Sequence, residues 1–165
     1  MLLTIFLTLM FCILATAAMA VFLVMIPKFG ATHFGAPSDI QEMVKEMPDQ
    51  PRWKNILGTV LFILIAFCII GLFIWGGWDA VRTDMNFWQT FLRFVIMLEV
   101  YKLYDIVFFD YFMLTKMHFI EKLYPSLKGA KGLDSFGFNA KSQISKIIIV
   151  PLISAAFAAI CVYVF

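Results

Sequence analysis

The run from Met1 to Ile26 carries no charged side chain and ends only at Pro27 and Lys28. A helix needs about 20 apolar residues to cross the hydrocarbon core of a bilayer, so this segment is long enough to span one. A secretory signal is the competing reading, because Ala18-Met19-Ala20 looks like a small-residue cleavage site. The charged leader region of such a signal is missing, however, and the apolar run continues past the small residues, so the segment is read as a retained helix.

Composition extends that conclusion to the whole chain. Its 165 residues are 62% hydrophobic and 17% aromatic, with a mean hydropathy of +0.91, far outside soluble usage. Four spans of about 20 residues each consume half the length, leaving no room for a sizeable soluble domain as well. The expectation is an all-α integral membrane protein, a single polytopic membrane domain over residues 1–165. It is a bundle of four transmembrane helices with a long charged third helix and a short amphipathic interfacial helix. The net charge of +2 is small and no basic repeat is present, so nucleic acid is not expected as a partner.

The remaining spans follow from hydropathy. The second covers about residues 56–76, with Trp53 at its start and Trp75 and Trp78 at its end as interfacial aromatics. The third covers about 86–109, with Thr83 or Asp84 as its cap, and its apolar pattern extends to Tyr124 before Pro125. One α-helix of that length would be about 60 Å long, roughly twice the hydrocarbon core, so its second half should leave the bilayer or break. The last span covers about 147–165, with a kink expected at Pro151. Small residues at Thr16 and Ala20, and at Ser154, Ala155, Ala158 and Ala159, suit close packing of the first helix against the last, or of one protomer against another.

Basic residues orient the chain. Four spans put Lys28, Lys45, Arg52 and Lys54 on the same side as Lys122, Lys128, Lys131, Lys141 and Lys146, and leave only Arg82 opposite. The positive-inside rule then places both longer loops in the cytoplasm and both termini outside, with the plasma membrane as the expected location. Within the first loop, Ser38 and Gln41 have capping-box spacing, and Ile40, Met43, Val44 and Met47 recur at helical intervals. An amphipathic helix is expected over Asp39–Met47, either as a connector or as a gate or lipid sensor at the surface.

The third segment carries the chemistry. Arg93, Glu99, Lys102, Asp105 and Asp110 interrupt an otherwise apolar stretch. On the insertion scale each central Asp, Lys or Arg opposes insertion by roughly 2.5 to 3.5 kcal/mol, and each Leu, Ile, Phe or Val favours it by about 0.3 to 0.6. About fifteen apolar residues give on the order of 5 to 9 kcal/mol against about 10 from the charges, so this helix needs partners, internal pairing or water. Glu99, Lys102 and Asp105 stand at i, i+3 and i+6, an acid-base-acid ladder. It is either a self-neutralising structural element or a proton or ion relay. Asp110, three α-turns beyond Glu99, would share its face about 16 Å away, too far to hold one metal ion with it. Arg93 is expected to snorkel outward as an anchor. Tyr101, one turn before Asp105, completes the candidate intramembrane polar site of Glu99, Tyr101, Lys102, Asp105 and Asp110.

Other features are weaker. His118 and Glu121 form an i, i+3 acid-base pair, and Lys128, Lys131 and Lys141 in a glycine-rich loop suit contact with anionic headgroups. That loop is not a Walker phosphate motif, because Ala140 precedes Lys141 where a glycine is needed. Cys12, Cys68 and Cys161 have no ligand spacing, and neither a metal nor a cofactor is expected. Three function classes follow. The first is a proton- or ion-coupled transport protein using the third helix, with membrane lipid and a second copy or partner membrane subunit as neighbours. The second is a membrane enzyme acting on a lipid or apolar substrate at the cytoplasmic face. The third is a non-catalytic accessory or assembly subunit. The sequence holds no catalytic motif that decides whether the protein is an enzyme.

Overall fold

The computed structural model describes residues 1–33, 36–133, 137 and 140–164, without the side chains of 141 and 142. Among the described residues the regular structure is all helical, with no strand. Helix α1 runs Leu2–Val24, α2 Pro27–His33, α3 Ser38–Glu46, α4 Arg52–Arg82 and α5 Phe87–Tyr104; a π-helix follows over Asp105–Lys116, then α6 Phe119–Leu123 and α7 Ala140–Tyr163. Three helices are long and apolar enough to cross a membrane: Leu2–Val24, Arg52–Arg82 and Gln143–Tyr163. In each, apolar side chains surround the helix on all sides, the pattern of a segment whose solvent is not water.

Local chemistry sets the boundaries, in places differently from expectation. The cap of α5 is Asn86: its Oδ1 accepts the Gln89 N–H at 3.0 Å, while Gln89 Oε1 accepts the Asn86 N–H at 3.1 Å. This reciprocal pair satisfies two donors left over at a helix start. It displaces Thr83, whose hydroxyl instead donates to the Asp79 carbonyl, and Asp84, which turns with φ 49°. The capping box expected at Ser38 and Gln41 is not formed. Gln41 Nε2 donates to the Ala36 carbonyl at 2.7 Å instead, and no side chain caps α3. Helix α4 continues well past Trp75 to Arg82, and α7 passes through Pro151 without ending.

The chain divides into two compact units. The first comprises Met1–Ala15, Ala66–Leu103 and Lys141–Phe165. Its core is Leu7, Phe11, Leu72, Phe94 and Met97, with Cys161 packed against it. Phe73, Phe94 and Phe157 meet pairwise at ring separations of 5.6 to 6.2 Å. Close approach depends on Gly76 and Gly77: a Cβ on the first would stand 3.2 Å from Leu7 Cδ1, and on the second 3.1 Å from Cys161 Sγ. Ser154 and Ala158, two of the small residues noted above, are fully buried here.

The second unit comprises Thr16–Ile65 and Tyr104–Ala140. The apolar stripe of α3 supplies its core, with Ile40 and Val44 buried against Leu114, Leu127, Ala130 and Leu133, and Met43 and Met47 packed alongside. The glycine-rich loop is docked on this helix. Gly132 N–H donates to Asp39 Oδ2 at 2.8 Å, and a Cβ at Gly132 would fall 2.4 Å from Pro37 Cβ. Only glycine fits that approach. A separate cluster joins Ala18, Phe22 and Ile26 with Phe62 and Ile65.

Candidate functional site

The charged third segment does not continue as one α-helix. From Asp105 to Lys116 the chain is a π-helix, whose backbone hydrogen bonds skip to the fifth residue, and the Thr115 side-chain hydroxyl also donates to the Asp110 carbonyl at 3.0 Å. Phe112 carbonyl likewise accepts the Met117 N–H at 2.9 Å. A π-helix turns more slowly per residue than an α-helix. The three-turn arithmetic that set Asp110 on the face of Glu99 therefore does not hold beyond Asp105. The segment then breaks at His118, whose φ of 47° and ψ of 41° are left-handed, before α6 begins. A non-glycine residue held there is strained, and such residues concentrate at functional sites.

Asp110 lines a cavity of about 130 Å³ within the second unit. Its walls are Met19, Phe22 and Leu23 of α1, Ile40 and Val44 of α3, Met113 and Leu114 of the π-helix, and Phe119 and Ile120 of α6. Asp110 is the only charged residue among the described residues that line it, and Tyr124 is the only other one with a polar side chain. The Tyr124 hydroxyl donates to the Leu23 carbonyl, one of the last carbonyls of α1, which have no partner inside the helix. Burial pushes the Tyr124 phenol up from its ordinary value.

Beside this cavity, His118 Nδ1 stands 3.8 Å from Glu121 Oε1, so the i, i+3 pair read from the sequence is brought together at ion-pair range. Tyr104, at the end of α5, shares a hydrogen bond of 2.7 Å between its hydroxyl and that of Thr16. Tyr101 belongs to the first unit, where its ring lies 4.3 Å from that of Phe11. Lys102 is buried and Glu99 half-buried in that unit; Asp105 is half-buried in the second. Lys128 and Lys131 are exposed; the Lys141 side chain lies outside the described residues.

Arg93 corrects the expectation of an outward anchor. It is 5% exposed, with Nη1 donating to the Gly76 carbonyl at 2.7 Å and standing 2.9 Å from Asp79 Oδ2. The reason is the added length of α4, which carries Asp79, beyond the expected end of the second span at about residue 76, into the first unit. A guanidinium already matched by a carboxylate and a carbonyl gains nothing by reaching for water.

A second cavity of the second unit, about 270 Å³, is lined by Phe29, Met47, Asn55 and Phe62 together with Lys28 and Asp49. Lys28 Nζ donates to Asp49 Oδ1 at 2.6 Å, and this bond and charge hold the Asp49 carboxyl below its usual range. Compared with family models, with curated proteins and with solved structures, the chain matches none.

Proposed function

We propose that this protein is a four-span integral membrane protein whose second unit takes up a compact apolar group in the cavity beside Asp110 and acts on it by acid-base chemistry at the cytoplasmic face. The observation that carries the reading is one carboxylate and one tyrosine hydroxyl among otherwise apolar walls. Pockets of this composition bind apolar ligands and use a few placed polar groups for orientation. Size sets the scale, because an apolar cavity of about 150 Å³ holds a benzene-sized molecule. The cavity near Asp110 therefore suits a ring or a short alkyl arm, such as one branch of a lipid-like substrate. His118 and Glu121 are the nearby acid-base pair. The lysines of the two longer loops, including Lys128, Lys131 and Lys141, would face the cytoplasm and anionic headgroups. Both termini would lie outside the plasma membrane, and a second copy or a partner subunit can pack on the remaining apolar faces.

Saturable binding of a benzene-sized probe, read by ligand-observed NMR on detergent-solubilised protein, tests the proposal. Wild type should bind and Met113→Trp, which fills the cavity, should not, with thermal stability little changed. Equal, non-saturable uptake by both proteins would overturn it.

One observation favours a second reading. Lys102 is only 8% exposed on a segment that also carries Glu99, Asp105 and Asp110, and buried ionisable groups in membrane helices commonly mark ion or proton paths. Under this reading Glu99, Tyr101 and Lys102 of the first unit carry the path, and Lys102→Met should abolish acid-driven ion flux in vesicles.

A further inference from the structure

We infer that the larger cavity of the second unit, about 270 Å³, holds the headgroup of a zwitterionic membrane phospholipid, one that bears both an ammonium and a phosphate. Among the described residues Pro27 alone lines both this cavity and the one at Asp110, and the inference makes no use of Asp110. Position comes first. Lys28 follows the end of α1 at Val24, and Asn55 sits in the first turn of α4; both helices are long and apolar enough to cross a membrane. Trp53, 61% exposed at the start of α4, is the kind of aromatic that marks the headgroup level. Phe62, another wall residue, stands seven positions beyond Asn55, about 10 Å further along the helix. The cavity is therefore polar at headgroup level and apolar below it. Charge then selects the occupant. Its wall carries one cation and one anion, Lys28 and Asp49, which meet at 2.6 Å. An exposed pair of this kind contributes little, so exchanging partners costs little. An anionic headgroup would gain Lys28 but press its phosphate against Asp49, and a cationic one would meet the reverse conflict. A zwitterion gives each side chain a partner, phosphate on Lys28 and ammonium on Asp49. The glycerol and first methylenes then lie along Ile26, Phe29 and Phe62.

The test uses the detergent-solubilised full chain and three probes. Dihexanoylphosphatidylethanolamine is the zwitterion, dihexanoylphosphatidylglycerol keeps the phosphate but lacks the amine, and phosphoethanolamine keeps both charges but lacks the chains. Native mass spectrometry reads the dissociation constants, and Thr59→Trp, which fills the cavity from an exposed wall position on α4, controls for adventitious lipid. Wild type should bind the ethanolamine lipid about fivefold more tightly than the glycerol lipid, the upper range for an exposed charge pair, and should bind phosphoethanolamine more weakly than its lipid. Asp49→Asn should remove the preference between the two lipids, and Thr59→Trp should bind neither saturably. Equal binding of both lipids by wild type would overturn the zwitterion assignment. Phosphoethanolamine bound as tightly as its lipid would overturn the membrane as the source. Lipid binding unchanged by Thr59→Trp, or no saturable binding by wild type, would overturn the site. The wild-type preference and its loss in Asp49→Asn, at a side chain 85% exposed, decide the matter if Thr59→Trp does not fold.

Discussion

Two ion pairs, one in each unit, contrast what the same chemistry does in different surroundings. Arg93 and Asp79 meet at 2.9 Å with side chains 4% and 23% exposed; Lys28 and Asp49 meet at 2.6 Å with side chains 39% and 85% exposed. The shorter pair is the weaker structural element. Around Lys28 and Asp49, water screens each charge and solvates whichever partner is left behind, so exposed pairs contribute little. Around Arg93 and Asp79, a lost partner leaves a charge in an environment that cannot solvate it. Distance alone ranks the two pairs in the wrong order.

The largest effect expected from this contrast is at Arg93. Arg93→Met strands Asp79 and should destabilise the protein by about 3 to 5 kcal/mol, whereas Arg93→Met with Asp79→Leu should recover most of the loss. Thermal unfolding in detergent measures both, and a double variant no better than the single would show that the pair is not the stabilising unit. An intermediate effect is expected at Tyr124. Tyr124→Phe removes the bond to the Leu23 carbonyl and should lower stability by about 1 kcal/mol, by the same assay.

The smallest effect belongs to the exposed pair, and its sign depends on pH. The Asp49 carboxyl is depressed in the folded protein. Its contribution is therefore present above the ordinary carboxylate value and is lost as pH falls through the lowered one. The melting temperatures of wild type and Lys28→Met should differ slightly near neutral pH, converge in acid, and converge also in high salt. A difference that persists in acid would mean that Lys28 acts through something other than Asp49.

The same contrast explains what could be read from residue order. Helices α1, α4 and α7 were legible because a long run without charge leaves few alternatives, and the stripe Ile40, Met43, Val44 and Met47 was legible because helical periodicity is local. The Asn86 and Gln89 box is also a local pattern, but Thr83 and Asp84 are cap residues by type as well, and only the exact start of the helix at Phe87 separates them. Arg93 was misread for a different reason. Its partner Asp79 is 14 positions away on another helix, and no spacing rule reaches that far. The π-helix from Asp105 had no signal either, since its residues fit an α pattern and only hydrogen bonding separates the two repeats. The candidate cavity shares that fate: Asp110, His118 and Glu121 were singled out for their charge, while the apolar walls from α1 and α3 come together only in the fold.

The proposed four-span orientation, and with it the cytoplasmic placement of the site, depends on the charged third segment crossing the bilayer. Single cysteines at Lys45, Thr83 and Lys128, introduced into a variant lacking Cys12, Cys68 and Cys161, can be labelled in intact cells with a membrane-impermeant maleimide. The account predicts that Thr83→Cys is labelled from outside and that Lys45→Cys and Lys128→Cys are both protected until the cells are permeabilised. Labelling of Lys128→Cys together with Thr83→Cys would place the segment outside the bilayer and contradict the account.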